Sequence, residues 1–386
     1  MKMKNFKSDM IKRLPVIISV IVIAAMVFTG CRKDANEETV PNQNGTQNEA
    51  GDITGNNGEN EKQDGAAESS GGNEEAKTGD NVSENGEPAE KIDINIAALK
   101  GPTGIGMVKL MQDAANGDAL HNYNFTIAGE ADEISTGLIK GEIDIAAVPC
   151  NLASVLYNKT QGKIKLAAVN TLGVLYIVET GNSIESVEDL KGKTIYSTGY
   201  GTTPQYTLNY LLNSHGIDPE KDVNIEYKTE ATEVAALLSE SDDAVAMLPQ
   251  PYVTTVMMNN DKVRIAINID EEWKALNDGN GVVTGVLVIN KDFLDNHPQA
   301  VEDFLSEYQA STNYVNENVD EAAELVETFG LFKAAVAKKA IPYCNITFVS
   351  GSDMKEMAET YLNILYEQNP NSVGGALPAD DFYYIP

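Results

Sequence analysis

Two short loops in this chain carry residues that could do chemistry, and they stand about one hundred positions apart. The first is Lys100-Gly101-Pro102-Thr103-Gly104, and the second is Gly199-Tyr200-Gly201-Thr202-Thr203-Pro204. Glycine lets the backbone approach a bound group, and threonine adds hydroxyl donors. Each loop stands between a strand-like and a helix-like segment. The N–H groups of the first helical turn therefore lie at the loop, unpaired and at the positive end of the dipole. That arrangement suits an anionic or carbonyl-bearing small molecule. A threonine in such a place is equally able to be a plain N-cap. Two amides occupy matching positions, Asn151 shortly after Pro149 and Gln250 directly after Pro249, and each can donate and accept. Tyr200 could cover an apolar or aromatic part of a ligand. The candidate contacts are therefore Gly101, Thr103, Gly104, Asn151, Tyr200, Gly201, Thr202, Thr203 and Gln250.

Enzymatic chemistry has little support. Gly192-Lys193-Thr194 ends like a phosphate-binding loop, but Val187 stands where the earlier glycine is required, and the triplet leads into a strand. There is no nucleophile-elbow pattern. His121, His215 and His297 are isolated from one another and from cysteine at metal-site spacings, so neither zinc nor haem is expected. No catalytic residue, metal or cofactor is assigned.

The elements that must position the loops form an internal duplication. In the first copy, Ile92–Ala98 reads as a strand with Ile92, Ile94 and Ile96 on one face, then the loop, then a helix through Met111. In the second, Thr194–Ser197 is the strand and the helix runs through Leu212. The next unit repeats as well: Glu130, Ala131, Glu133, Leu138, Ala146 and Pro149 recur as Glu230, Ala231, Glu233, Leu238, Ala246 and Pro249. Glu130 and Glu230, each followed by a glutamate three residues on, read best as helix caps. Each copy is a β-loop-α-β-loop-α-β array, the pattern of a parallel sheet with helices on both faces. The strands Lys165–Asn170 with Gly173–Val178, and Val263–Asn268 with Gly285–Asn290, read as two chain crossings between lobes, which together make a hinge. The helices near Asp292–Phe332 and Ser352–Gln368 carry apolar stripes at helical spacing and are expected to pack back on the first lobe. The expected domains are residues 92–172 with 284–386 as lobe 1, and 173–283 as lobe 2.

A chain of 386 residues with 42% hydrophobic composition can build more than one core. Its formal charge of −30 argues against nucleic acid as a partner, since binding phosphates needs a basic face. Much of that charge lies in Asp34–Glu90, a stretch of Glu, Asp, Asn, Gly and Ser that cannot bury enough apolar surface to order itself. Before it, Lys2, Lys4, Lys7, Lys12 and Arg13 precede the apolar run Leu14–Phe28, the pattern of an export signal. The signal ends in Phe28-Thr29-Gly30-Cys31, which resembles a bacterial lipobox. Residues 1–30 are thus expected to be a lipoprotein signal peptide, Cys31 a lipidation site, and residues 31–91 a tether with a reach of roughly 40 Å. The alternative is an uncleaved N-terminal anchor helix. Either way the body lies outside the cytoplasm, on the outer face of the membrane. Cys150 and Cys344 are too few for a disulfide scaffold and read as two small buried thiols, although one bridge between them is open.

Asp189-Leu190-Lys191-Gly192-Lys193-Thr194-Ile195, Asn213-Ser214-His215-Gly216-Ile217-Asp218-Pro219, and Val286-Leu287-Val288-Ile289-Asn290-Lys291-Asp292-Phe293-Leu294 with His297-Pro298 resemble the periplasmic solute-binding proteins of ABC-type importers. The branch is the one serving sulfonates, taurine, nitrate and thiamine-precursor pyrimidines. The resemblance spans Lys91–Pro386. It implies an α/β, two-lobed periplasmic-binding-protein-like (type 2) fold, each lobe a mainly parallel sheet flanked by helices, joined by two hinge crossings. It also implies a monomer that captures a small polar or anionic solute and delivers it to a membrane permease. Gln250-Pro251 stands where such proteins often carry an acidic or aromatic residue before a proline, a departure that weakens a carried-over sulfonate assignment. A ligand-occupancy sensor or a surface enzyme on the same fold are the other readings.

Overall fold

The computed structural model describes residues 90–386; the segment expected to be a signal peptide, Cys31 and the acidic stretch lie outside them. Alternating polarity builds the first strand, with Ile94 and Ile96 buried while Asp93 and Asn95 face water. The chain runs β1 (Asp93–Leu99), α1 (Pro102–Ile105), α2 (Val108–Asn116), β2 (Asn122–Ala128), α3 (Ala131–Lys140), β3 (Ile145–Pro149), α4 (Cys150–Thr160) and β4 (Ile164–Thr171). It crosses into β5 (Leu175–Thr180), β6 (Thr194–Ser197), α5 (Thr203–Ser214), β7 (Asn224–Tyr227), α6 (Ala231–Glu240), β8 (Val245–Pro249), α7 (Tyr252–Asn259), β9 (Val263–Asn268) and α8 (Ile269–Leu276). It returns through β10 (Gly285–Asn290), α9 (Lys291–Asn296), α10 (Pro298–Glu317), α11 (Val319–Thr328), α12 (Ala334–Ala340), β11 (Ile346–Ser350) and α13 (Gly351–Gln368).

The strands form two sheets, ordered β2-β1-β3-β10-β4-β11 and β7-β6-β8-β5-β9. The duplication is visible in that order. In each sheet the duplicated strands are parallel, β1 with β2 and β3, β6 with β7 and β8. The strand beside them, β10 or β5, comes from the other lobe. It enters at the carboxyl end of its neighbour, Gly285 opposite Pro149 and Leu175 opposite Pro249, and so must run antiparallel. The sheets are therefore mixed, parallel in the duplicated half and antiparallel where the crossings enter. Every residue of β4, β5 and β10 is buried, as central strands covered on both faces require.

Helices cover both faces of each sheet. In the first, Ile94, Ile96 and Ala98 pack with Phe304 and Tyr308 of α10, while Ala97 and Val148 pack with Leu156 of α4 and Leu362 of α13. In the second, Ile177 and Ile195 meet Leu208 and Leu211 of α5, while Val178 and Leu248 meet Val234 and Leu238 of α6.

The two crossings touch each other. A methyl group on Gly173 would stand 2.3 Å from Cγ of Asp270, so only glycine fits where the outward crossing lies on α8. Asp270 in turn accepts from the Val282 N–H at 2.8 Å and pairs with Lys274 at 2.7 Å, which fixes the start of the return crossing. On one flank a seam joins the lobes. Trp273 is buried with its ring 4.4 Å from Tyr210 of α5 and 5.4 Å from Tyr361 of α13. Thr207 hydrogen-bonds the Tyr361 hydroxyl at 3.2 Å beside it. Cys150 and Cys344 are buried and unbridged, and burial pushes both thiols up. Among the described residues no helix is long and apolar enough to cross a membrane, and no group of His, Cys, Asp and Glu is placed to hold a metal ion.

Candidate functional site

A cleft of about 550 Å³ opens between the carboxyl ends of the two parallel strand sets. This is where open α/β sheets place ligands, because loops there lead into helix N-termini. The loops after β1 and β6 form facing walls, and the crossing residues Thr171, Val174 and Thr284 line the cleft between them.

Of the residues singled out from the sequence, Gly101, Thr103, Tyr200, Thr202, Thr203 and Gln250 line this cleft. Gly104, Gly201 and Asn151 do not. Gly104 lies under the wall, where an added methyl would meet Leu331 Cδ2 and the Leu99 carbonyl at 3.0 Å each. Gly201 serves the turn: its φ is +77°, a conformation that favours glycine, and its N–H donates to Gln205 Oε1 at 2.6 Å. Asn151 sits in the first turn of α4, fully buried and turned into the seam between lobes. Its Nδ2 donates to the Ser372 carbonyl at 3.0 Å, and its Oδ1 accepts from the Thr203 hydroxyl at 3.2 Å.

The threonine hydroxyl protons are therefore already committed. Thr103 donates to the Leu99 carbonyl at 3.1 Å, Thr202 to the Gly199 carbonyl at 2.9 Å, and Thr203 across the seam. Toward a ligand these side chains offer lone pairs and shape rather than protons. Gln250 is different. Its Oε1 accepts from the Thr254 N–H and hydroxyl at 3.2 and 2.8 Å, which leaves its amide N–H groups without a partner among the described residues.

Other lining residues were not singled out as ligand contacts. The hydroxyls of Thr171, Thr284 and Tyr227 are buried in the cleft wall without hydrogen-bond partners. Burial pushes the phenol of Tyr227 up, and that of Tyr252 up to about 12 with the charge of Glu230 adding to it, so both are neutral donors at ordinary pH. Tyr200 is 74% exposed, its ring 5.4 Å from that of Tyr227. Glu130, Asp132 and Glu230 also line the cleft. The Glu230 side chain makes the capping box expected of it with Glu233, whereas Glu130 forms no side-chain cap. The recurrence of the two glutamates was the signal that could have placed them here. Thr171 and Thr284 carry no comparable pattern.

Comparison with known proteins agrees with this geometry. Residues 164–322 match the family model described as NMT1/THI5 like. An ABC transporter structure from Parabacteroides distasonis is 25% identical, aligns over 76% of this chain and 98% of its own, and has a TM-score of 0.63. The alkanesulfonate-binding protein SsuA from Xanthomonas axonopodis pv. citri, bound to MOPS, aligns over 77% of this chain and 100% of its own at 12% identity, with a TM-score of 0.63. A Candida albicans gene product described as having the generic periplasmic binding protein structural fold aligns over 75% and 98% at 15% identity, with a TM-score of 0.52. The fold is that of the periplasmic binding proteins. The search of curated proteins gave no sequence match. The fold implied by the resemblance of Asp189–Ile195 and Val286–Leu294 is thus the fold found, and the sulfonate-binding SsuA structures share it. In this periplasmic-binding-protein fold the cleft between the lobes is the candidate site.

Proposed function

We propose that this chain is the solute-capturing lipoprotein of an ABC-type importer. Lobe 1 (residues 92–172 and 284–386) and lobe 2 (173–283) close on a small polar or anionic solute, and the loaded body delivers it to a membrane permease. Cys31 carries the lipid that holds it to the outer face of the membrane, residues 31–91 are the tether, and the body acts as a monomer. It binds and releases without catalysis. One observation carries this reading: the cleft of about 550 Å³ is walled by loops of both lobes, with the chain crossings beside it. A ligand touching both walls favours the closed arrangement through contacts that the open one lacks, the only way in which binding can drive closure. The likeness to importer-binding proteins supports the same role. Native mass spectrometry of the purified chain tests it, the expected result being one small molecule per chain that is released on denaturation. Cys31→Ser is expected to release the protein from membranes or to leave an uncleaved precursor. Unchanged membrane extraction and unchanged N-terminal mass would remove the anchor from this account.

A further inference from the structure

The charge on the cleft is distributed in a way that narrows the solute. Glu130 and Asp132 begin α3 on one wall, and Glu230 begins α6 on the other. Glu230 reaches across the gap to the residue just before Glu130: a methyl on Gly129 would lie 3.3 Å from Glu230 Oε1. Among the described residues none of the three forms an ion pair, and the Glu130 and Asp132 carboxylates make no hydrogen bond. Of the two lysines on the cleft, Lys228 pairs with Glu226 at 3.0 Å, and Lys100, which stands over the Phe332 ring at 5.9 Å, is outnumbered by the three carboxylates. No arginine or histidine lines the cleft. The positive N-terminal ends of α3 and α6 already face carboxylates, so an oxyanion placed there would be repelled. A second observation is independent of charge. Thr171 is 1% exposed with its hydroxyl unpartnered, and Gln250 is 3% exposed with its amide N–H groups free, and both line the same cleft. These buried neutral groups call for a polar partner from a ligand.

We propose that the solute is a small organic amine. Its cationic nitrogen sits between Glu130 and Asp132 of one lobe and Glu230 of the other, and a hydroxyl, carbonyl or carboxylate at its far end meets Thr171 and Gln250. This rests on the solute-receptor reading and names its ligand class. It also supplies a driving force for closure, because bringing the lobes together without a cation sets like charges against each other, and the ammonium removes that cost.

The test uses the full chain and matched probes: γ-aminobutyrate against butyrate, putrescine against butanediol, and ethanesulfonate as a simple oxyanion. Thermal shift and calorimetry are expected to show binding by an amine and none by its amine-free partner. The double change Glu130→Gln with Asp132→Asn should weaken amine binding at least about tenfold, since a charge-assisted contact is lost. Among the described residues neither carboxylate has a hydrogen-bond or ion-pair partner, so only their favourable place at the N-terminus of α3 is lost, and the free protein should stay folded with a small drop in melting temperature. Glu230→Gln provides the same readout from the other lobe. Binding by butyrate or ethanesulfonate with no preference for the amine, unaltered amine affinity in the variants, or a co-released molecule lacking a cationic nitrogen would overturn the amine class and leave the receptor reading standing. Binding by no probe, together with nothing released from the purified chain, would sink both. A co-released amine in the absence of binding by these probes supports the class.

Discussion

The duplicated Gly/Thr loop is packed over in one lobe and stands open in the other. In lobe 1, Pro102 to Ile105 are all buried, and α1 is only four residues long. An added methyl on Gly106 would come within 3.2 Å of both Ile346 and the Tyr308 hydroxyl, so the chain lies tight against α10 and β11 there. In lobe 2 the matching loop has glycines at φ +74° and +77°, an exposed Tyr200, and leads directly into the twelve-residue α5. The sequence repeat is similar, but α10 and β11 back the first copy, whereas the second meets the C-terminal part of the chain only at its edge, through Tyr361 of α13 on α5 and Phe332 on Tyr252. One wall of the cleft is thus braced from behind. The other depends on α5, which is held by the seam to Asn151, Tyr361 and Trp273.

The largest expected effect comes from that seam. Trp273→Ala removes the only tryptophan of the chain from a buried stack between α5 and α13, and should cost about 3–5 kcal/mol. Urea unfolding followed by circular dichroism checks it. A loss confined to lobe 2, with lobe 1 retaining its own transition, would sharpen the contrast between the braced wall and the dependent one.

Next is the crossing. Gly173→Ala forces a methyl against Asp270 and should destabilise by about 1–3 kcal/mol through overpacking. A melting temperature equal to wild type would show that the crossings are free to part.

The two threonines separate the walls more finely. Thr203→Val leaves the buried Asn151 Oδ1 without its donor and is expected to cost about 1–3 kcal/mol. Thr103→Val removes only a bond to the nearby Leu99 carbonyl and should cost about 1 kcal/mol or less. Equal losses would erase the distinction between a hydroxyl that ties lobes and one that ties a local turn.

The smallest effects are on pH dependence, and they differ in sign. Burial would raise the carboxyl of Glu179 in lobe 2, but the N–H groups of Ser183 and Ile184, the Ser183 hydroxyl and the Arg264 guanidinium outweigh it and hold it below the usual carboxylate range. Its stabilisation is present above the unfolded value and is lost as pH falls through the folded one. Asp144 in lobe 1 is raised by burial against the Asn95 N–H, so its contribution improves as pH falls into the carboxylate range. Acid melting series of Glu179→Gln and Asp144→Asn should therefore change slope in opposite directions. Slopes changing in the same direction would contradict these assignments.

Much of this architecture was legible because the duplication repeats residue types with clear physical tasks. Pro149 and Pro249 end strands, and Gly201 permits its turn at φ +77°, whereas Gly101 is extended backbone with open space around it. The apolar runs at Val286–Ile289 and Leu166–Val169 mark strands buried on both faces. The site was less legible. Asn151 and Gln250 both follow a strand-ending proline but differ by one place, Asn151 standing two residues after Pro149 and Gln250 one after Pro249; one is spent on Ser372, which lies 221 positions away, and only the other faces the cleft. Gly104 looked like Gly101 until Leu331 covered it. Such outcomes depend on long-range packing, which no local spacing encodes. The carboxylates at Glu130 and Glu230 were visible as a repeat, but capping explained them well enough to hide their position at the cleft.

Closure on a ligand is the central claim, and the distance between the lobes tests it most directly. Lys140 and Glu240 are exposed residues at the matching ends of α3 and α6, one on each lobe. Spin labels on Lys140→Cys and Glu240→Cys, measured by pulsed electron resonance before and after adding back the molecule released from the purified chain, report that distance. A shorter and narrower distribution with the molecule present is the predicted result, and the same distribution in both states would contradict it.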